Sequence, residues 1–335
     1  MRGPAAEVLA LLRDWDAAED PEPLVVETSG STGRPKRVVL SRAAMRSSAD
    51  ATHARLGGPG QWLLDLPPTY VAGLQVLFRS VRAGTEPVGS VEEMTAERRY
   101  LSLVPTQLVR LLDTDAATLR RFDAILVGGA RLDPRLRARA EVAGLRVVAT
   151  YGMSETCGGC VYDGVPLDGV EVRVGEDGRI RIGGPVLFDE YDGQPDLTAQ
   201  VTEDGCFVTA DLGRVDGDGR LEVLGRVDDV VVSGGVNVAT GAVAARLREH
   251  PAVREAEVVG VPDDEWGQAV VAVVSGDLTL DDARAWVAAA HPRAWAPRHV
   301  LQVDGLPLLG NGKVDRLAVE RLAARAGTAR DAGRR

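Results

Sequence analysis

Between Glu27 and Val39 the chain reads ETSGSTGRPKRVV. Gly30 and Gly33 let a backbone approach a ligand closely, Thr28, Ser29, Ser31 and Thr32 offer hydroxyls, and Lys36 brings a positive charge. Such a stretch is equipped to hold phosphate oxygens. Its spacing, G-x-x-G-x-x-K with proline before the lysine, differs from the G-x-x-x-x-G-K-[ST] loop of common nucleoside triphosphatases. A surface turn rich in glycine and hydroxyls is the alternative reading of the same residues. A second dense stretch, YGMSET, sets the stacking face of Tyr151, the close turn allowed by Gly152, the hydroxyl of Ser154 and the carboxylate of Glu155 side by side.

The elements that must position these groups alternate in kind. QWLLDLP, YLSLVP, FDAILVGGA and LRVVATYG read as strands. SRAAMRSSADATHARL (Ser41 as its N-cap), YVAGLQVLFRSVRAG (closed by Gly84), TQLVRLLD and PRLRARAEVAG read as helices. Strand and helix in turn, at these lengths, predict an α/β domain with a largely parallel sheet. After about Gly158 the rhythm changes to short strands with DG turns, a β-rich part. Beyond Arg226 a small α+β unit follows, so residues 1–227 and 228–335 are read as two domains.

Composition narrows the class of function. The formal charge of −10 over 335 residues argues against nucleic acid as main partner, though a nucleotide's charge can be met locally. Apolar runs are too short to span a bilayer, and MRGPAAEVLALLRDWDAAED reads as an amphipathic helix, which points to a cytoplasmic protein without a transmembrane segment. Cys157 and Cys160 form CGGC, but with three cysteines and scattered histidines (His53, His250, His291, His299) neither a disulfide framework nor a structural zinc site is expected. The two cysteines are read as small buried side chains.

TSGSTGRPK resembles the phosphate-loop signature of the acyl-adenylate-forming superfamily, and further signatures follow in order. These are GGA at Gly128, Gly129 and Ala130, YGMSET, TADLG with Asp211, GRVDDVVVSGG with Arg226, Asp228, Gly234 and Gly235, and GNGK with Lys313. Within that superfamily the chain is similar to the short actinobacterial 2-succinylbenzoate–CoA ligases of menaquinone biosynthesis, above all through RLGGPGQWLLDLPPTYVAGLQVLFRSVRAG and YGMSETCGGCVYDGVPLDGVEVRV.

The resemblance implies an adenylate-forming enzyme fold with a truncated N-terminal subdomain, since 27 residues precede Thr28. It implies ATP, Mg2+ and CoA, and a small aryl dicarboxylic acid as substrate, with homodimer formation left open. Lys36, Ser154, Glu155 and Lys313 would be the catalytic groups, with Glu155 on the metal. The phosphate loop from Thr28 to Gly33, the adenine side at Gly128–Ala130 and at Tyr151 and Gly152, and the ribose contacts Asp211 and Arg226 would hold the nucleotide. Gly234 and Gly235 would leave passage for the pantetheine arm, Asp228 would be the hinge of a mobile small domain, and Arg316 would support Lys313. Tyr70 stands where many relatives have histidine, beside an acyl pocket in which Gly158 and Gly159 would give room for a flat ring.

Rival readings are weaker. No kinase signature set and no G-x-S-x-G elbow occur. A ligase for another aryl or fatty acid, or a nucleotide-binding pseudo-ligase serving a partner protein, are the alternatives, the latter opposed by the reactive residues retained in both domains.

Overall fold

The computed structural model describes residues 3–28, 36–308 and 314–332. It divides into two compact units, Met1–Thr209 with Val215–Glu222 and Ala210–Arg214 with Val223–Arg335. The final passage from one to the other falls at Glu222–Val223, so Asp211, Arg226 and Asp228 all belong to the second unit.

In the first unit, α1 (Ala5–Ala17) buries Val8, Leu9 and Leu12, the three-and-four spacing of an amphipathic helix. β1 (Leu24–Glu27) and β2 (Arg37–Leu40) pair antiparallel with Glu27 opposite Arg37, and Glu190–Tyr191 joins the far side of β2. α2 (Arg42–Leu56) starts at Ser41, whose hydroxyl accepts the Ala44 N–H at 3.2 Å. β3 (Gln61–Leu63), β4 (Arg99–Leu103), β5 (Ala124–Val127) and β6 (Val147–Met153) run parallel, as the alternation of elements requires. β5 is buried throughout, the mark of a strand covered on both faces. Between β3 and β4 lies α3 (Val71–Ala83), ended by Gly84 at φ +65°.

The sheet departs from the sequence reading at one edge. β7 (Gly158–Tyr162), placed by the sequence where the α/β rhythm ends, is instead a strand of the main sheet, antiparallel to β6, with Val165–Pro166 beyond it. The one-turn segment Ser154–Thr156 brings the chain straight back, which leaves no length for a crossover helix. The β-rich part follows, with Glu171–Val174 and Arg179–Gly183 antiparallel around a turn whose Gly178 has φ +75°.

The second unit holds the hairpin Val230–Ser233 and Val236–Ala239, the helix Thr240–Arg248 and the antiparallel pair Val253–Asp263 and Gly267–Gly276. The helix Leu280–Ala288 leads to His299–Val303, parallel to Gly267–Gly276. Its core gathers Val243, Leu247, Val258, Val270, Ala272, Val274 and Val287. Among the described residues no helix is long and apolar enough to cross a membrane.

Ser41→Ala removes the acceptor for one otherwise orphaned helix N–H and should lower stability by about 1 kcal/mol, read from urea melts.

Candidate active site

Several of the groups singled out in the first unit lie at the carboxyl ends of the parallel strands, where open α/β sheets receive ligands. Gly128, Gly129 and Ala130 follow β5, and Tyr151 and Gly152 are among the last residues of β6. A Cβ on Gly128 would stand 2.5 Å from the Thr150 hydroxyl, and one on Gly152 would stand 2.0 Å from the Gly158 carbonyl oxygen. At Gly152 two backbones touch, and only glycine fits. The turn between them is tied by Thr156, whose Oγ1 accepts the Met153 N–H at 3.0 Å and donates to the Gly158 carbonyl at 2.7 Å. Ser154 and Glu155 ride on this turn and are both buried.

Glu155 has a companion that the sequence reading missed. The Tyr191 hydroxyl donates to its Oε1 at 2.7 Å, and burial followed by the Glu155 charge pushes the Tyr191 pKa up, so the phenol stays a donor. The Lys36 ammonium lies 4.9 Å from the centre of the Tyr191 ring, within cation–π range. Lys36 is also fixed by its backbone: its N–H donates to Thr28 Oγ1 at 3.1 Å, and the Thr28 N–H donates to the Lys36 carbonyl at 2.9 Å. These two bonds clasp the mouth of the glycine loop. Arg37, beside it, pairs with Asp192 at 2.8 Å. Ser29, Gly30, Ser31, Thr32, Gly33 and Lys313 lie outside the described residues. Lys36 and Lys313 are the chain's two lysines among its 39 Lys and Arg residues.

Among the described residues no three His, Cys, Asp or Glu side chains gather to hold a metal. Glu155 nonetheless fits Mg2+, which takes one or two carboxylates and fills its other positions with phosphate oxygens and water. Tyr191 engages Oε1, and no described residue bonds Oε2.

Of the residues expected beside the acyl group, Tyr70 precedes the first turn of α3 and is 49 % exposed. Gly158 and Gly159 do not open free space as the sequence suggested. A Cβ on Gly158 would press on Gln75 Cγ at 3.3 Å, and one on Gly159 on Thr150 and the Tyr162 ring at 3.2 Å. The glycines let α3 and β6 close on β7. Ser48 and Gln75 then both donate to the Cys157 carbonyl, at 3.1 and 2.7 Å. Cys157 and Cys160 are buried, as the sequence reading had it, and burial pushes both thiols up, Cys160 to about 12. One turn on from Gln75 along α3 lies Arg79, which the sequence reading left aside. It is 4 % exposed and sits 5.1 Å over the Trp62 ring, with Nη2 3.5 Å from the Tyr162 hydroxyl. No carboxylate pairs with it among the described residues, and its Nε, the His53 Nε2, the Trp62 Nε1 and the Gln75 Oε1 are buried without a partner. Arginine inside an otherwise apolar helix face was the available signal.

In the second unit Arg226 meets Asp211 at 3.3 Å, so the structure brings together the two residues expected near the ribose. Asp228 sits in the single turn Val227–Asp229; its neighbour Asp229 is held by Arg316 at 2.8 Å and by the Thr240 hydroxyl at 2.7 Å. Gly234 and Gly235, at φ +58° and +78°, form the two-residue turn of the hairpin Val230–Ser233 and Val236–Ala239. A Cβ on Gly234 would strike the Trp266 ring at 2.6 Å, whereas nothing lies within 4 Å of one on Gly235.

With this geometry in place, the comparisons with known proteins agree. The AMP-binding enzyme family matches residues 23–192 and the AMP-binding enzyme C-terminal domain matches residues 242–313. The chain belongs to the AMP-binding enzyme family, and its class is that of AMP-forming acyl-CoA synthetases, acid–thiol ligases that use ATP and CoA. It is 47 % identical, over 94 % of its length and 88 % of the relative's, to a probable 2-succinylbenzoate–CoA ligase of Mycobacterium tuberculosis. The o-succinylbenzoate CoA synthetase of Bacillus subtilis, solved with its acyl-adenylate intermediate, superposes with a TM-score of 0.74 at 28 % identity, covering 88 % of this chain and 68 % of that one. ATP-bound MatB from Rhodopseudomonas palustris gives 0.76 at 26 % identity, covering 89 % and 67 %.

Burial first, and then the Arg79 charge, lower the His53 pKa from 6.5 to about 4. The unfolded chain therefore binds a proton between those values that the folded chain refuses, and stability falls as pH drops from 6.5 toward 4, by at most about 3 kcal/mol. Urea melts across that window should show His53→Gln with the shallower slope.

Proposed function

We propose that this protein is a 2-succinylbenzoate–CoA ligase of menaquinone biosynthesis working in the cytoplasm. The observation that carries the choice of acid is Arg79, a buried cation without an acid partner, on the helix that holds the turn bearing Ser154 and Glu155. A dicarboxylic acid supplies one carboxylate for reaction and a second for that guanidinium. A fatty acid would leave the charge sealed and unpaired, which is strongly unfavourable. The relatives named 2-succinylbenzoate–CoA ligase support the same acid.

In this reading Tyr151 stacks on adenine beside Gly128, Gly129 and Ala130, and Asp211 accepts the ribose hydroxyls with Arg226 at its side. The loop from Thr28 to Gly33, Lys36 and Ser154 hold the phosphates, and Glu155 would hold Mg2+. When bound, that ion offsets phosphate charge. The succinyl carboxylate oxygen attacks the α-phosphorus, the bond to pyrophosphate breaks, and Lys313 stabilises the approach of the two anions. The small domain then turns about Asp228 and withdraws Lys313. The CoA thiol, reaching past Gly234 and Gly235, attacks the acyl carbon, loses its proton, and releases AMP. Tyr70, exposed ahead of α3, would stand at the mouth of the acyl pocket.

Incubation with ATP, CoA and parallel acids, followed by mass analysis of the CoA product, should show 2-succinylbenzoate well ahead of benzoate and of long fatty acids. Preference for a fatty acid would end the assignment. Arg79→Met should keep the fold but lose about ten- to a hundredfold in kcat/KM for the dicarboxylic acid, with little change for benzoate.

Lys313→Ala should block acyl-adenylate formation in a single turnover while ATP binding and the conversion of pre-formed acyl-adenylate with CoA persist. Equal losses in both halves would refute the separate role of Lys313.

A further inference from the structure

Glu155 and Lys36 carry opposite charges on neighbouring segments, yet no ion pair joins them within 4.0 Å. A direct pair would neutralise both and leave neither for a ligand. Tyr191 stands between them. Its hydroxyl donates to Glu155 Oε1 at 2.7 Å, and its ring face lies 4.9 Å from the Lys36 ammonium.

The ring has little freedom. It is 1 % exposed, its centre lies 5.0 Å from that of Phe188, and its residue pairs with Val38 in the strand that carries Lys36's neighbours. The Tyr191 N–H donates to Thr198 Oγ1 at 2.9 Å, and its carbonyl accepts the Gln194 N–H at 2.9 Å. The next residue along the segment is fixed as well: Asp192 holds Arg37 at 2.8 Å. One rigid side chain thus meets two groups from two different segments.

We propose that Tyr191 is a positioning residue of the adenylation step: its hydroxyl aims the Glu155 carboxylate, and its ring face keeps the Lys36 ammonium from collapsing onto that carboxylate. The inference rests on the reading of Glu155 as the Mg2+-holding residue and of Lys36 as a phosphate-binding one. A hydrogen bond of this kind, from a side chain behind a metal ligand, orients the ligand and tunes its affinity. A cation held on an aromatic face keeps its N–H donors for another anion, which a salt bridge does not.

The two halves separate by substitution in the full-length protein. Tyr191→Phe keeps the ring and removes the hydroxyl. It should weaken Mn2+ binding in the presence of a non-hydrolysable ATP analogue by about tenfold, read by electron paramagnetic resonance, and leave metal-free binding of the analogue unchanged. Tyr191→Leu should weaken metal-free binding of the analogue as well, by a few-fold, because the ring face under Lys36 is gone. Glu155→Gln is the reference. If it leaves Mn2+ affinity unaltered, the metal reading of Glu155 fails. If it weakens Mn2+ while Tyr191→Phe does not, the positioning role of Tyr191 is refuted. Variants that lose melting temperature without moving either binding constant would make Tyr191 a packing residue and overturn the proposal. Should Tyr191→Leu not fold, the Tyr191→Phe comparison alone decides the hydroxyl's role.

Discussion

The turn that carries Ser154 and Glu155 exists because two stretches of backbone touch. Between Gly152 and the Gly158 carbonyl there is no space for a Cβ, and the Thr156 hydroxyl stitches the remainder. From that contact the rest follows. β7 returns along β6 instead of crossing over, and the Cys157 carbonyl is presented to Ser48 and Gln75. α2 and α3 are thereby locked onto the sheet edge, and Arg79 is carried inward with α3. A methyl group at residue 152 would force the strands apart and disturb every one of these elements.

What could be read from the sequence was local chemistry. The N-cap at Ser41, the stop at Gly84 and the glycine of the DG turn at Gly178 each depend on residues a few positions apart, and each stands where it was expected. The parallel order of β3 to β6 followed from the spacing of strands and helices. What escaped was joined across long stretches of chain. Tyr191 is 36 residues from Glu155, and nothing near either one announces the bond. The membership of β7 in the main sheet depends on how sharply residues 154–156 turn, which glycine count alone does not reveal. Gly158 and Gly159 were expected to give room for a flat ring, whereas the atoms packed against them belong to Gln75, Thr150 and Tyr162 of the protein itself.

The chain's use of cations is divided by task. Arginine makes the paired contacts, such as the fork of Arg82 on Asp50 at 3.1 and 3.2 Å and the bridge from Arg316 to Asp229. Planar guanidinium suits such carboxylate pairs, and its charge never leaves. Lysine occurs at residues 36 and 313 alone, both within the motifs to which the proposed function assigns phosphate and acyl chemistry. A compact ammonium on a flexible stem can follow a charge that moves during reaction, which a rigid fork does less well.

In the proposed function, the buried guanidinium of Arg79 would tie the choice of acid to the integrity of the interior. Trp62, Tyr162 and His53 surround it, and none of them carries negative charge. On that reading, an acid lacking a second anionic group would enter a site that already holds an uncompensated cation. Drift toward neutral substrates, in evolution or on the bench, must therefore begin by discharging helix α3 at residue 79 and rebuilding the aromatic wall against it. Specificity would then be inherited from the stability of the first unit, and would change only as fast as that interior can be rebuilt.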